Sequence, residues 1–106
     1  MTRFGQNFLR DPNLAHVAVD RAGVLATDVV LEVGPGKGIL TTVLAQTAAT
    51  VQAIEIDREL EPLLAPVLAA HPNVLLTWGD AMRVPFGELA PAPTAFVANL
   101  PYNVAT

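Results

Sequence analysis

Apolar residues along this chain change their spacing repeatedly, and each change marks an element. After the first ten residues, MTRFGQNFLR, the segment DPNLAHVAVDRAG has apolar residues at Leu14, Val17 and Ala18. Asp11 is placed to cap it, Pro12 suits a first turn and Gly23 a stop, which predicts a short amphipathic helix. DVVLEV is apolar and mostly β-branched apart from Glu32, as expected of a strand buried on both faces. GPGKG breaks it, ILTTVLAQTA returns to helical spacing, and TVQAIEID predicts a second strand. In RELEPLLAPVLAAHP the helical stripe is Leu60, Leu63, Leu64, Val67 and Leu68, interrupted by Pro62 and Pro66. A proline deep in a helix costs about 3 kcal/mol, so this helix is expected to begin late, near Glu61, or to kink at Pro66. NVLLTWGD predicts a third strand, VPFGELAPAP a turn-rich connection, and TAFVANLPY a fourth strand with a loop at its end.

Strands alternating with helices imply right-handed βαβ units, so the expected class is α/β with a doubly wound, mostly parallel sheet. In such sheets ligands bind outside the carboxyl ends of the strands, where the glycine-rich turn, Glu55, Asp80 and Asn99 all fall.

Composition narrows the chemistry. With 106 residues, 52% of them hydrophobic and 15% charged, the chain should bury one small core. The absence of cysteine excludes disulfides and thiolate metal sites, and His16 and His71 lie too far apart to suggest a metal pair, so no metal is expected. No apolar run approaches the roughly 18 residues a membrane span needs, and the amino terminus lacks a signal-peptide layout, so a cytoplasmic protein with no membrane partner is expected. A net charge of −4, with six Lys and Arg in all, argues against general nucleic-acid affinity in this segment. The exception is the first ten residues, which hold Arg3 and Arg10 and no acid; that pattern also suits a solvated tail.

EVGPGKG follows a strand and opens a helix, so Gly34, Gly36 and Gly38 can supply a tight turn and let a ligand approach the backbone. The turn reads G-x-G-x-G, not the dinucleotide G-x-G-x-x-G/A, because Ile39 stands where glycine or alanine would be wanted. Glu55 follows Gly34 by about 20 residues, the spacing that places a carboxylate beside the ribose of an adenosine. It could instead cap the next helix, although Asp57 is better placed to do so. Asp80 could accept a hydrogen bond from an adenine amine, or form an Asx turn in a surface loop.

FGQNFL, LEVGPGKGILT, EID, GDA and NLPYNVAT, in that order, resemble the ribosomal RNA adenine dimethyltransferases, relatives of the erythromycin-resistance methylases. The resemblance covers the whole chain; the glycine turn is common to many S-adenosylmethionine enzymes, whereas FGQNFL joined with NLPYN is specific. It implies a Rossmann-like S-adenosylmethionine-dependent methyltransferase. That family's catalytic domain has seven strands and is followed by a small helical RNA-binding domain. Residues 1–106 are therefore expected to be the amino-terminal part of the catalytic domain, truncated after about four strands and without the RNA-binding domain.

Carried over residue by residue, the resemblance implies that Asn7 and Leu9, with Gln6 beside them, touch the cofactor. Gly34, with Gly36 and Gly38, would lie under its methionine part, Glu55 on its ribose, Asp80 on its adenine and Asn99 at the transferring methyl. Methyl transfer to an adenine amine needs the nitrogen lone pair freed from the ring and aimed at the sulfonium methyl. The Asn99 side-chain oxygen and the Leu100 carbonyl would accept the two amine hydrogens, Pro101 would fix the loop, and Tyr102 would stack on the extruded base. Alone, NLPYN could equally be an ordinary turn. The implied partner is ribosomal RNA, in the small ribosomal subunit precursor, dimethylated at adenine. Alternatives are a DNA adenine methyltransferase and a non-catalytic RNA-binding ribosome assembly factor.

Overall fold

The computed structural model describes residues 11–98. Helix α1 spans Pro12–Ala22; the Asp11 side chain accepts from the Asn13 N–H at 2.9 Å, and Gly23 closes the helix in the left-handed region with φ 71°. The cap and stop fall where the sequence places them, but the buried stripe does not. Ala15 and Val19 face the core, one turn apart, while Val17 is 43% exposed.

Strand β1 (Val29–Val33) leads into helix α2 (Ile39–Thr47), and β2 (Thr50–Glu55) into a single 3-10 turn (Arg58–Leu60) and helix α3 (Glu61–Ala70). Strand β3 (Val74–Trp78) then leads through a second 3-10 turn (Phe86–Glu88) to β4 (Ala95–Ala98). Helix α3 starts at Glu61 as expected. Pro62 sits in its first turn, where no donor is needed, and Pro66 is accommodated on the exposed side without ending the helix.

The four strands form one sheet in the order β3-β2-β1-β4, and every neighbouring pair is parallel. Val30 and Val51 are fully buried and Val74 nearly so; they meet Ala15 and Val19 of α1 and Leu40, Val43 and Leu44 of α2 in the core. Leu44 is wholly enclosed, so truncating it to alanine would cost about 2–5 kcal/mol. Side chains alternate across a strand, so Gln52 faces away from that core. It is buried there and donates to the Pro91 carbonyl at 3.1 Å, holding the β3–β4 connection against the opposite face. A right-handed crossover returning from β3 to β4 must run on that face. Leu75, Gln52, Leu31 and Phe96 share one register row there, and Phe96 is 61% exposed.

Candidate functional site

The strand order reverses between β1 and β4. Chain progression from β1 to β3 moves to one side, then β4 returns to the other side of β1, which makes their carboxyl ends the switch point where α/β sheets bind ligands. Val33 pairs with Ala98 there, so Gly34 follows one member of the last pair and Asn99 the other. Gly34 follows β1, Glu55 ends β2 and Asp80 lies two residues beyond β3. The described sequence-predicted residues thus share one edge. Gln6, Asn7, Leu9, Asn99, Leu100, Pro101 and Tyr102 lie outside the described residues.

The glycine turn is built from left-handed backbone. Gly36 has φ 60° and Gly38, the residue before α2, has φ 86°. At Gly38 a Cβ would stand 2.8 Å from Val67 Cγ2 and 3.3 Å from Leu64 Cδ2, so glycine there also lets α3 pack against the start of α2. Gly34 N–H donates to the Ile54 carbonyl at 2.9 Å, which ties the turn to the end of β2.

Glu55 completes the tie. Its Oε1 accepts from Gly36 N–H at 3.1 Å and its Oε2 from Asp57 N–H at 3.0 Å, although the residue is only 6% exposed. Asp57 caps the 3-10 turn through Glu59 N–H at 3.0 Å, as its position suggested, while Glu55 also supports that turn from below. Each carboxylate oxygen keeps a second acceptor site, enough for two hydroxyls. The Glu55 carbonyl accepts Gly79 N–H at 2.9 Å, so the residue before Asp80 is anchored to the residue bearing the Glu55 carboxylate. Asp80 forms the Asx turn its sequence allowed: Oδ1 accepts Met82 N–H at 2.9 Å, and Arg83 Nε lies 3.9 Å from Oδ2. Its side chain is still 42% exposed and retains acceptor capacity.

Glu32 is the functional candidate that reading the sequence passed over. It is fully buried in β1, two residues before Gly34; Oε1 accepts the Thr41 hydroxyl at 2.6 Å, and Oε2 has no partner among the described residues. Burial pushes its carboxyl up to about 7 from 4.5; the Thr41 hydrogen bond opposes the rise, and the nearby Glu55 charge adds to it. A buried acceptor without a partner is rare enough to require a reason. The signal in the sequence was a single acid in an otherwise apolar strand, with a threonine in the first turn of the next helix. Two acids at one glycine turn also set its electrostatics. They would repel a pyrophosphate and favour a ligand carrying positive charge.

Residues 1–106 match the family model described as ribosomal RNA adenine dimethylase. The chain is 46% identical over 104 residues to the ribosomal RNA small subunit methyltransferase A of Rubrobacter xylanophilus, covering 98% of this chain and 39% of the relative. Among solved structures it is similar to the 23S rRNA methyltransferase ErmE, with a TM-score of 0.74 and 36% identity over 90% of this chain and 38% of that one. It is also similar to a dimethyladenosine transferase from Plasmodium falciparum, with a TM-score of 0.73 and 28% identity over 90% of this chain and 34% of that one. The chain therefore spans about two fifths of the length of the curated relatives it matches.

Proposed function

Since the chain belongs to the ribosomal RNA adenine dimethylase family, we propose that it is the amino-terminal, cofactor-binding part of a longer enzyme. That enzyme transfers methyl groups from S-adenosylmethionine to the exocyclic amine of adenine in ribosomal RNA, twice per base, with the small-subunit precursor as substrate and the cytoplasm as its location. The observation that carries the reading is the acid pair at the glycine turn. Among the described residues buried Glu32 has an unpartnered Oε2, and Glu55 retains two acceptor sites on the adjoining strand end. S-adenosylmethionine presents an ammonium and a sulfonium near two ribose hydroxyls, so its charges and donors fit where those of a dinucleotide would not.

When bound, that cofactor supplies an activated methyl group; the protein supplies position. Glu32 would take the ammonium with Oε2 and ionise fully in doing so, Glu55 the ribose hydroxyls, and Asp80 the adenine amine, while Gly34, Gly36 and Gly38 leave room for the methionine part. Asn7 and Leu9, with Gln6 beside them, would touch the cofactor. Asn99 and the Leu100 carbonyl would accept the two hydrogens of the target amine and turn its lone pair out of conjugation. Pro101 would hold the loop, and Tyr102 would stack on the base. No strong base is required, because the amine proton is lost after the new N–C bond forms.

Single-turnover transfer from radiolabelled S-adenosylmethionine by the full-length protein tests this. Label should enter small-subunit RNA and not DNA. Unlabelled RNA under conditions where it binds would leave an assembly factor, and label in DNA alone would leave a DNA methyltransferase.

A further inference from the structure

Arg58 and Trp78 link the two strand ends that carry Glu55 and Asp80. The Arg58 guanidinium carbon lies 5.1 Å from the centroid of the Trp78 ring, within the range at which a cation is drawn to an indole face. Trp78 is the last residue of β3 and is in register with Glu55. Arg58 opens the 3-10 turn after β2. The ladder between the two strands ends where Gly79 donates to the Glu55 carbonyl, and beyond that point the chains part, one into the turn and the other toward Asp80. The Arg58 side chain crosses this gap. Acids adjoin it in sequence at Asp57 and Glu59, yet among the described residues no carboxylate comes within 4.0 Å of its guanidinium, which rests on the ring.

We propose that Arg58 over Trp78 is a positioning pair, holding the Glu55 and Asp80 carboxylates at the separation that the adenosine half of the cofactor needs. This rests on the cofactor reading above. Glu55 is already fixed on one side by Gly36 and Asp57 N–H groups, and Asp80 is fixed locally by Met82 N–H. Among the described residues the stack adds a side-chain link to the Gly79 bond between the strand ends that bear the two carboxylates. Neither side chain needs to touch the reacting atoms. Loss of the stack should therefore appear as weaker cofactor binding, and a cation–π contact at an accessible site is worth about a two- to five-fold change.

Calorimetric titration of the full-length protein with S-adenosylhomocysteine provides the test, with methylation kinetics beside it. Arg58→Met keeps the apolar stem and removes the cation, and Trp78→Leu removes the ring. Each should weaken binding about two- to five-fold, raising the KM for cofactor and leaving kcat close to parental. Arg58→Lys should keep most of the affinity, Trp78→Phe should lie between the parent and Trp78→Leu, and the double variant should bind no worse than either single one. Parental affinity in Arg58→Met, with Glu55→Ala weakened, would overturn the pair and leave the cofactor reading standing. So would additive losses in the double variant. Failure of the parental protein to bind S-adenosylhomocysteine would remove the cofactor reading itself, and this inference with it.

Discussion

Replacing Glu32 by glutamine should spare the fold its loss of stability at alkaline pH while damaging the cofactor site. The carboxyl is fully buried, and its pKa is raised from 4.5 to about 7, chiefly by loss of water. The folded state therefore holds the proton more tightly than the unfolded state does. Its contribution is complete below pH 4.5 and is lost as pH rises through about 7. Each pKa unit corresponds to about 1.4 kcal/mol, so ionisation of this one group costs the folded protein about 3 kcal/mol above pH 8. Glutamine can still accept the Thr41 hydroxyl now 2.6 Å from Oε1, and it does not ionise. Near pH 5 parent and variant are both neutral, the parent with one unpartnered O–H and the variant with two unpartnered N–H donors, so the variant should be no more stable than the parent there. Between pH 5 and pH 8.5 the stability of the variant relative to the parent should rise by up to about 3 kcal/mol. Urea unfolding of the ligand-free full-length protein in steps from pH 5 to 8.5 measures the difference. Parallel profiles for parent and variant would refute the assignment of the raised pKa to Glu32. Calorimetry with S-adenosylmethionine adds the functional half: the glutamine variant should bind more weakly, because its amide cannot meet an ammonium with a charge. Stability gained and affinity lost together is the signature of an acid kept for function.

Other consequences follow from the same geometry. Glu55→Ala should weaken S-adenosylmethionine binding by more than about 1 kcal/mol, since ribose hydroxyls would lose charge-assisted acceptors; unchanged affinity by calorimetry would leave Glu55 as a strut between Gly36 and Asp57 only. Asn99→Ala should lower the methylation rate by about two orders of magnitude, near 3 kcal/mol, with much less effect on cofactor affinity. Tyr102→Ala should reduce productive base capture by about 1–3 kcal/mol, whereas Tyr102→Phe should be mild because the ring does the stacking; equal losses in kinetic assays would point to the hydroxyl instead. The 106 residues alone should associate in sedimentation experiments, because β4 pairs only with β1 among the described residues and Phe96 is 61% exposed on the open face. A stable monomer would show that the chain covers that face itself.

The elements were legible because their signals are local. Asp11 and Gly23 bound α1, the β-branched run at Val29 and Val30 marks β1, and Pro62 marks where α3 starts while Pro66 is accommodated inside it. Which face of α1 is buried was not legible. Leu14 and Val17 are as apolar as Val19, and the choice of Ala15 and Val19 depends on how closely α1 approaches α2, a tertiary quantity. The carboxyl-edge placement of Gly34, Glu55 and Asp80 follows from strand-end positions alone and was readable. What each carboxylate already bonds was not: Glu55 receives Gly36 and Asp57 N–H groups because the glycine turn folds back over β2, and no spacing rule encodes that. Glu32 stood out only as an acid in an apolar strand, since its missing partner becomes visible only once the sheet and α2 enclose it. The Arg58–Trp78 stack joins residues that sequence separates and strand register brings together.

We propose above all that this chain is the cofactor-binding part of a longer enzyme that dimethylates adenine in small-subunit ribosomal RNA. The most direct test is nucleoside mass spectrometry of that RNA from cells lacking the gene, complemented with either the parental protein or Asn99→Ala. Dimethyladenosine should be absent without the gene, restored by the parental protein and not restored by Asn99→Ala. Dimethyladenosine that persists without the gene, or that returns in full with Asn99→Ala, would contradict the account.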